Sequence, residues 1–262
     1  MRWFFLLLLL LFSVGCAPER KEKKVPEQIL SLSCAATKIL YDLESPPAAI
    51  DEYGLIAAGS PAPQVIGKGS LVSREKMAEL GIDCVVLWYY QKDAAELFRK
   101  KGLRVIELQP VRLKEYSSLL QIMGDLTGKQ EKAFSLQQRF QKELESLSPS
   151  GKEKKVYFEL YGPMQSVGRE SYTGDLLSYS GGTVLSEKTG LVSIENLLSF
   201  QPEIIFYVEG YGSGEMIRNR PGFSNLPAVK NGRIYGVPRR LITEGVAPLE
   251  AIQFFRKILS EE

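Results

Sequence analysis

Residues 71–88 read LVSREKMAELGIDCVVLW and residues 191–208 read LVSIENLLSFQPEIIFYV, and the two segments align without a gap. Each runs Leu-Val-Ser-x-Glu, then an apolar pattern of helical period, then an acidic residue (Asp83 or Glu203), then an apolar strand. A chain that carries the same helix–strand unit in each half is directed towards two related lobes. The surrounding sequence keeps the same rhythm. Runs rich in β-formers at residues 29–34, 64–67, 84–88 and 104–109 alternate with helical patterns at 35–43, 73–80 and 91–101. Strand patterns at 156–161, 203–209 and 233–237, with helical ones at 175–179 and 193–200, repeat the theme. Strands alternating with helices predict mainly parallel sheets covered by helices, hence two Rossmann-like α/β lobes. A length of 262 residues has room for both.

Between the halves lies a stretch without strand character, at residues 113–126 and 129–147, broken at Gly128. Ala133, Leu136, Phe140, Leu144 and Leu147 recur at helical spacing among Gln, Lys and Glu. About 19 residues at ~1.5 Å each give a rod of nearly 30 Å, the height of a domain. The expectation is one long helix joining the lobes; a helix packed on one lobe, with a loop making the crossing, is the alternative. The predicted borders are 28–127 for the first lobe, 128–150 for the joining helix and 151–262 for the second lobe.

Ahead of the lobes, Arg2 precedes ten consecutive apolar residues and then Ser13, Val14, Gly15 and Cys16. This is the layout of a bacterial lipoprotein signal over residues 1–15, and the apolar run is shorter than the ~20 residues of a spanning helix. Cys16 then becomes the lipidated first residue. Residues 16–27 include APERKEKKVPE, too charged and proline-bearing for a core, and are read as a tether. The chain is accordingly expected outside the cytoplasm, held at a membrane by lipid.

Composition removes several function classes. Thirty-three basic against thirty-one acidic residues leave a net charge of +2, which argues against nucleic acid as a partner. There are no histidines, so Ser-His-Asp and Cys-His catalysis and imidazole-dependent metal sites are excluded. No phosphate loop, nucleophile elbow or dinucleotide fingerprint is present, and the chain is read as a non-enzyme without a metal site or cofactor of its own. Cys34 and Cys84 fall at opposite ends of their predicted strands, too far apart for a bridge, and are expected as free thiols.

Ser73 and Ser193 are natural N-caps, which puts Glu75 and Glu195 in the first turn of their helices. Spacing alone leaves two readings open: capping chemistry used twice, or a matched pair of acidic studs for a partner with two-fold symmetry. Further residues are candidates for a cleft, because ligands of open α/β sheets collect beyond the carboxyl ends of the strands. The ends in question carry residues 33–36, 68–70, Trp88, Tyr89, Tyr90, 161–164, Tyr211, Arg239 and Arg240. Arg169 is a further cation candidate, and Glu159, inside a strand, requires a partner.

The runs SLSCAATKILYDL, APQVIGKGSLVSREKMAELGIDCVVLW, VYFELYGPMQSVGRESYTGDLLSYSGGTVL and SIENLLSFQPEIIF resemble, together and in this order, the class III periplasmic substrate-binding proteins of ABC importers for ferric siderophores, haem and cobalamin. The resemblance covers residues 27–260. It implies two lobes joined by one backbone helix, a ligand cleft between them, and one glutamate per lobe docking on a permease dimer, at the positions of Glu75 and Glu195. It also implies a monomeric receptor for a metal chelate. With no histidine in the chain, tyrosine is left as the side-chain ligand if haem is bound directly. The segment LITEGVAPLE departs from the Arg-Pro-Gly-Pro-Arg type run of many siderophore binders. An extracytoplasmic sensor of the same fold, and an α/β hydrolase, are the competing readings.

Overall fold

The alternation of short β-branched runs with amphipathic helices folds as its period dictates. The computed structural model describes residues 25–147 and 153–261. The N-terminal half contains β1 (Ile29–Ser31), α1 (Cys34–Asp42), β2 (Ala49–Ile50), β3 (Gln64–Val65), β4 (Gly67–Lys68), β5 (Leu71–Val72), α2 (Arg74–Glu79), β6 (Cys84–Trp88), α3 (Lys92–Lys100) and β7 (Arg104–Leu108). Next come α4 (Tyr116–Thr127) and α5 (Gln130–Ser146). The C-terminal half contains β8 (Lys154–Glu159), β9 (Gln165–Ser166), α6 (Tyr172–Tyr179), β10 (Gly182–Val184), β11 (Gly190–Leu191), α7 (Ile194–Phe200), β12 (Ile204–Val208), α8 (Gly214–Arg218), α9 (Pro227–Lys230), β13 (Ile234–Val237), α10 (Arg239–Ile242) and α11 (Pro248–Leu259).

The first sheet has the order β3-β2-β1-β6-β7 and is parallel throughout. In the second, β10, β8, β12 and β13 lie side by side and parallel, while β9 and β11 form an antiparallel margin. The order β2-β1-β6-β7 therefore has its counterpart in β10-β8-β12-β13. The repeated segment supplies the equivalent strand, β6 or β12, to each sheet.

The acidic residue of the repeat has the same task in both lobes. Asp83, just before β6, accepts the backbone N–H groups of Glu27 (2.9 Å) and Gln28 (3.0 Å), beside the start of β1. Glu203, just before β12, accepts the N–H of Lys155 in β8 at 3.1 Å. Each carboxylate clamps the entry of the neighbouring parallel strand, a hydrogen bond to a charged acceptor of about 1.5–3 kcal/mol.

Gly128, at φ 69°, ends α4 in the left-handed conformation and reverses the chain into α5. Helix α5 lies against α4 on one side and α11 on the other, with Tyr116 and Phe140 rings 4.6 Å apart. Its buried residues, Ala133, Phe140 and Leu144, are three of the five apolar positions of the sequence pattern. One continuous apolar cluster runs from Ile39 and Val86 through Leu120 and Phe140 to Phe158, Phe206 and Phe255, so the two lobes share a core. The lobes are also tied by polar contacts. Arg112, ahead of α4, donates through Nε to Asp175 of α6 at 2.7 Å, and the Leu113 amide donates to the same carboxylate at 3.0 Å. Gly245 touches α1 so closely that a Cβ there would stand 2.7 Å from that of Ala35.

Both thiols are unbridged, as expected: Cys34 opens α1 beyond β1, whereas Cys84 is paired in register with Ile29 at the other end of the sheet. Among the described residues no helix is long and apolar enough to cross a membrane.

Candidate functional site

The two lobes face one another across a cleft of about 460 Å³. A second chamber of about 590 Å³ adjoins it and shares Cys34, Trp88, Tyr90 and Arg239, so these four form the waist of one groove. The N-terminal wall is built where β6 ends. Trp88, Tyr89 and Tyr90 follow in succession, and the Gln91 side chain accepts the Trp88 amide at 2.9 Å, which closes the turn into α3. A strand alternates its side chains, so three consecutive rings would be split between faces if the strand continued. The turn prevents this, and all three reach the cleft. The Tyr89 and Tyr90 rings meet edge-on at 5.6 Å, and Tyr90 is 65% exposed.

The C-terminal wall is more polar. Tyr161, beyond the end of β8, has Arg239 of α10 beside its hydroxyl, and Tyr211 packs edge-on against its ring at 4.8 Å. Ser171, Tyr172 and Thr173 come from the start of α6, and Thr189, Thr243 and Glu244 complete the surface. Burial raises the Glu244 carboxyl above the ordinary range, an effect that the amide of Val111, donating at 3.3 Å, only partly offsets. Burial likewise raises Asp51 in the second chamber, although the Gly54 and Gly69 amides donate to it at 3.0 and 2.9 Å. Burial pushes the Cys34 thiol up to about 11, with the charge of Asp51 adding to it and Arg239 opposing, so it is an un-ionised group that donates to the Tyr53 carbonyl. The Tyr172 hydroxyl is buried near the Gly245 amide yet has no hydrogen bond of standard geometry.

Several residues singled out by sequence go elsewhere. Arg169 pairs with Glu187 at 3.0 Å and is absent from the cleft lining. Arg240 is tied to Glu250 at 2.7 Å and opens onto a separate groove beside α4 and α5. Of the adjacent pair at the start of α10, only Arg239 turns to the cleft, because a helix sends neighbouring side chains about 100° apart. Tyr211 backs Tyr161 rather than lining the cavity. Lys68 is held to Glu52 at 3.4 Å, while Gly69 and Ser70 line the second chamber.

Glu159 has the partner its burial demands. Arg220 grips it through two nitrogens, one at 2.8 Å, while Tyr157 donates at 2.7 Å and the Met164 amide at 3.0 Å. Burial opposes the charge, but Arg220 and the other donors outweigh it and hold the carboxyl below its usual range. This hub fixes both ends of the 159–164 loop that presents Tyr161.

Glu75 and Glu195 stand fully in solvent on short helices, α2 and α7. Ser73 and Ser193 cap these helices as expected, accepting the amides of Lys76 and Asn196 at 3.2 Å each. Each glutamate is held below its normal range by its own backbone amide first and by the serine second. Cys16 and the rest of the signal lie outside the described residues.

Sequence reasoning missed Ser171, Tyr172, Thr189 and Glu244 as cleft residues. Glu244 had a signal, a lone acid in the apolar run LITEGVAPL, but its burial depends on packing against the segment after β7.

Two parallel α/β lobes around a groove with aromatic side chains on one wall define a two-lobed binding protein. The periplasmic binding protein family model matches residues 29–241, and the chain belongs to that family. It is a substrate-binding protein and not an enzyme. A curated relative, the uncharacterized ABC transporter substrate-binding lipoprotein YvrC of Bacillus subtilis, is 23% identical over 242 residues, covering 84% of this chain and 76% of YvrC. The periplasmic haem-binding protein HutB of Vibrio cholerae shares the fold with a TM-score of 0.78 at 17% identity, over 89% of this chain and 99% of that one. A possible iron-binding periplasmic solute-binding protein of Staphylococcus epidermidis does so with 0.77 at 21% identity, over 91% and 100%.

Proposed function

We propose that this chain is the lipid-anchored receptor of an ABC importer, working on the outer side of the membrane as a monomer. It captures a metal chelate of the ferric siderophore, haem or cobalamin type in the cleft and delivers it to a permease dimer. The observation that carries the reading is the groove itself: a bulky, flat, partly apolar guest is served by Trp88, Tyr89, Tyr90 and Tyr161, with Arg239 as the cation for its acidic groups. In this reading residues 28–127 and 151–262 are the lobes, α5 is the spar between them, Cys16 carries the lipid, and Glu75 and Glu195 dock on the permease. The shared core and the Arg112–Asp175 tie support a small closure rather than a wide hinge motion.

Two measurements test it. Protein purified from its native source is expected to carry the absorbance of one of these chelates, or to gain it on titration with haemin, cyanocobalamin or a ferric catecholate. Reversal of both studs, Glu75→Arg with Glu195→Arg, is expected to abolish uptake and leave chelate affinity unchanged. Colourless protein that binds none of the three probes, or full uptake by the double variant, would remove the corresponding part of the reading.

A further inference from the structure

The repeat duplicates more than its glutamate. Leu71 and Leu191 occupy the same place in it, four residues before Glu75 and Glu195, and they are 84% and 82% exposed, the highest values among the exposed large apolar side chains of the described residues. A single exposed leucine requires no explanation. Two at matched positions of related lobes, each in a two-residue strand that leads to a serine cap and the acidic helix start, do. Neither is there for packing: its neighbour in each copy, Val72 or Val192, is the one turned inward, as strand alternation requires. Four residues of chain span at most about 14 Å, so each leucine and its glutamate belong to one contact patch.

We infer that Leu71 and Leu191 are the apolar half of the permease-docking patch, one leucine seated beside each glutamate; this rests on the docking reading of Glu75 and Glu195 given above. Charge and symmetry select the occupant. The glutamate calls for a basic group on the partner, and a leucine beside it excludes water from the ion pair, which strengthens an otherwise weak exposed contact. Because one chain offers two copies of the Leu–Glu pair, the partner that fills both carries two equivalent seats, as a two-fold permease dimer does. The N-terminal patch also offers a recess: Leu71 borders an apolar groove of about 450 Å³ lined by Val72, Met77, Leu97 and Phe98, large enough for a partner side chain in return.

The test measures binding of the full receptor, with no chelate added, to its permease–ATPase complex in phosphatidylethanolamine–phosphatidylglycerol nanodiscs. Leu71→Asp and Leu191→Asp are compared singly and together with Leu71→Met/Leu191→Met and with Glu75→Arg/Glu195→Arg. Each aspartate variant is expected to lose about tenfold in affinity and the pair at least thirtyfold, while the methionine pair stays within about twofold and the melting temperature is unchanged. Parent-like binding by the aspartate pair, with loss in the arginine pair, would overturn the leucine assignment and leave the glutamate docking intact. Parent-like binding by both pairs would remove docking altogether. Leucine-dependent binding to empty nanodiscs, or leucine-dependent dimerisation in sedimentation velocity, would assign the knobs to lipid or to a second copy instead and overturn the inference.

Discussion

The two lobes are alike at their outer, repeat-bearing edge and unlike at the cleft. Strand order, serine caps, first-turn glutamates, exposed leucines and the acidic clamps Asp83 and Glu203 match across the repeat. Five residues beyond those clamps the match ends: Trp88, Tyr89 and Tyr90 align with Val208, Glu209 and Gly210. One wall became a run of rings, while its counterpart turns away at Gly210, with a φ of 85°. The C-terminal lobe makes its wall from other segments, Tyr161 on a braced loop and Arg239 with Glu244 after the last strand. The match thus follows the edge that the proposed permease docking would use and ends at the cleft, where the proposed guest would lie.

The largest expected effect probes a brace that belongs to the C-terminal lobe alone. Glu159→Ala strands Arg220 in a largely buried site and frees the Tyr161 loop, and should cost about 3–5 kcal/mol in chemical denaturation. A loss under ~1 kcal/mol would show that the loop does not depend on this hub. Next comes the ring wall. Trp88→Ala is expected to weaken chelate binding on the order of tenfold, about 1.4 kcal/mol, whereas Glu209→Ala, at the position aligned with Tyr89, leaves it unchanged. Titration by absorbance with haemin, cyanocobalamin and a ferric catecholate decides this, and equal losses would break the asymmetry. The clamps sharpen the symmetric side: Asp83→Asn and Glu203→Gln should each lower stability by about 1 kcal/mol, and to a similar extent, in urea melts.

The smallest effect concerns pH. Burial raises Glu244 in the folded protein, so its contribution to stability is fully present below the ordinary carboxylate range and is lost as pH rises through the raised value. Glu244→Gln keeps the group neutral and should be more stable than the parent at pH 7. The advantage should shrink towards pH 4 when both are melted across that range. An advantage that grows on acidification would reverse the sign of the argument.

How much of the site could be read from sequence follows from what each residue depends on. The caps Ser73 and Ser193, the first-turn placement of Glu75 and Glu195 and the ring run after β6 were legible because each is a property of a few consecutive residues. Glu159 was legible as a charge needing a partner, but not that Arg220, sixty-one positions away, supplies it. Arg239 and Arg240 were indistinguishable as neighbours, and the helix phase separated them, one to the cleft and one to Glu250.

The chain's local order thus settled the α/β alternation, the doubled unit and the long helical stretch after β7, because hydrophobic period and capping act within a turn or two of backbone. Only the tertiary structure decided which side chains share the groove, that Tyr172 and Glu244 are enclosed beside it, and that Arg112 latches Asp175. Those facts depend on where segments far apart in the chain come to rest against each other, and burial, not residue type, then sets what each group can do.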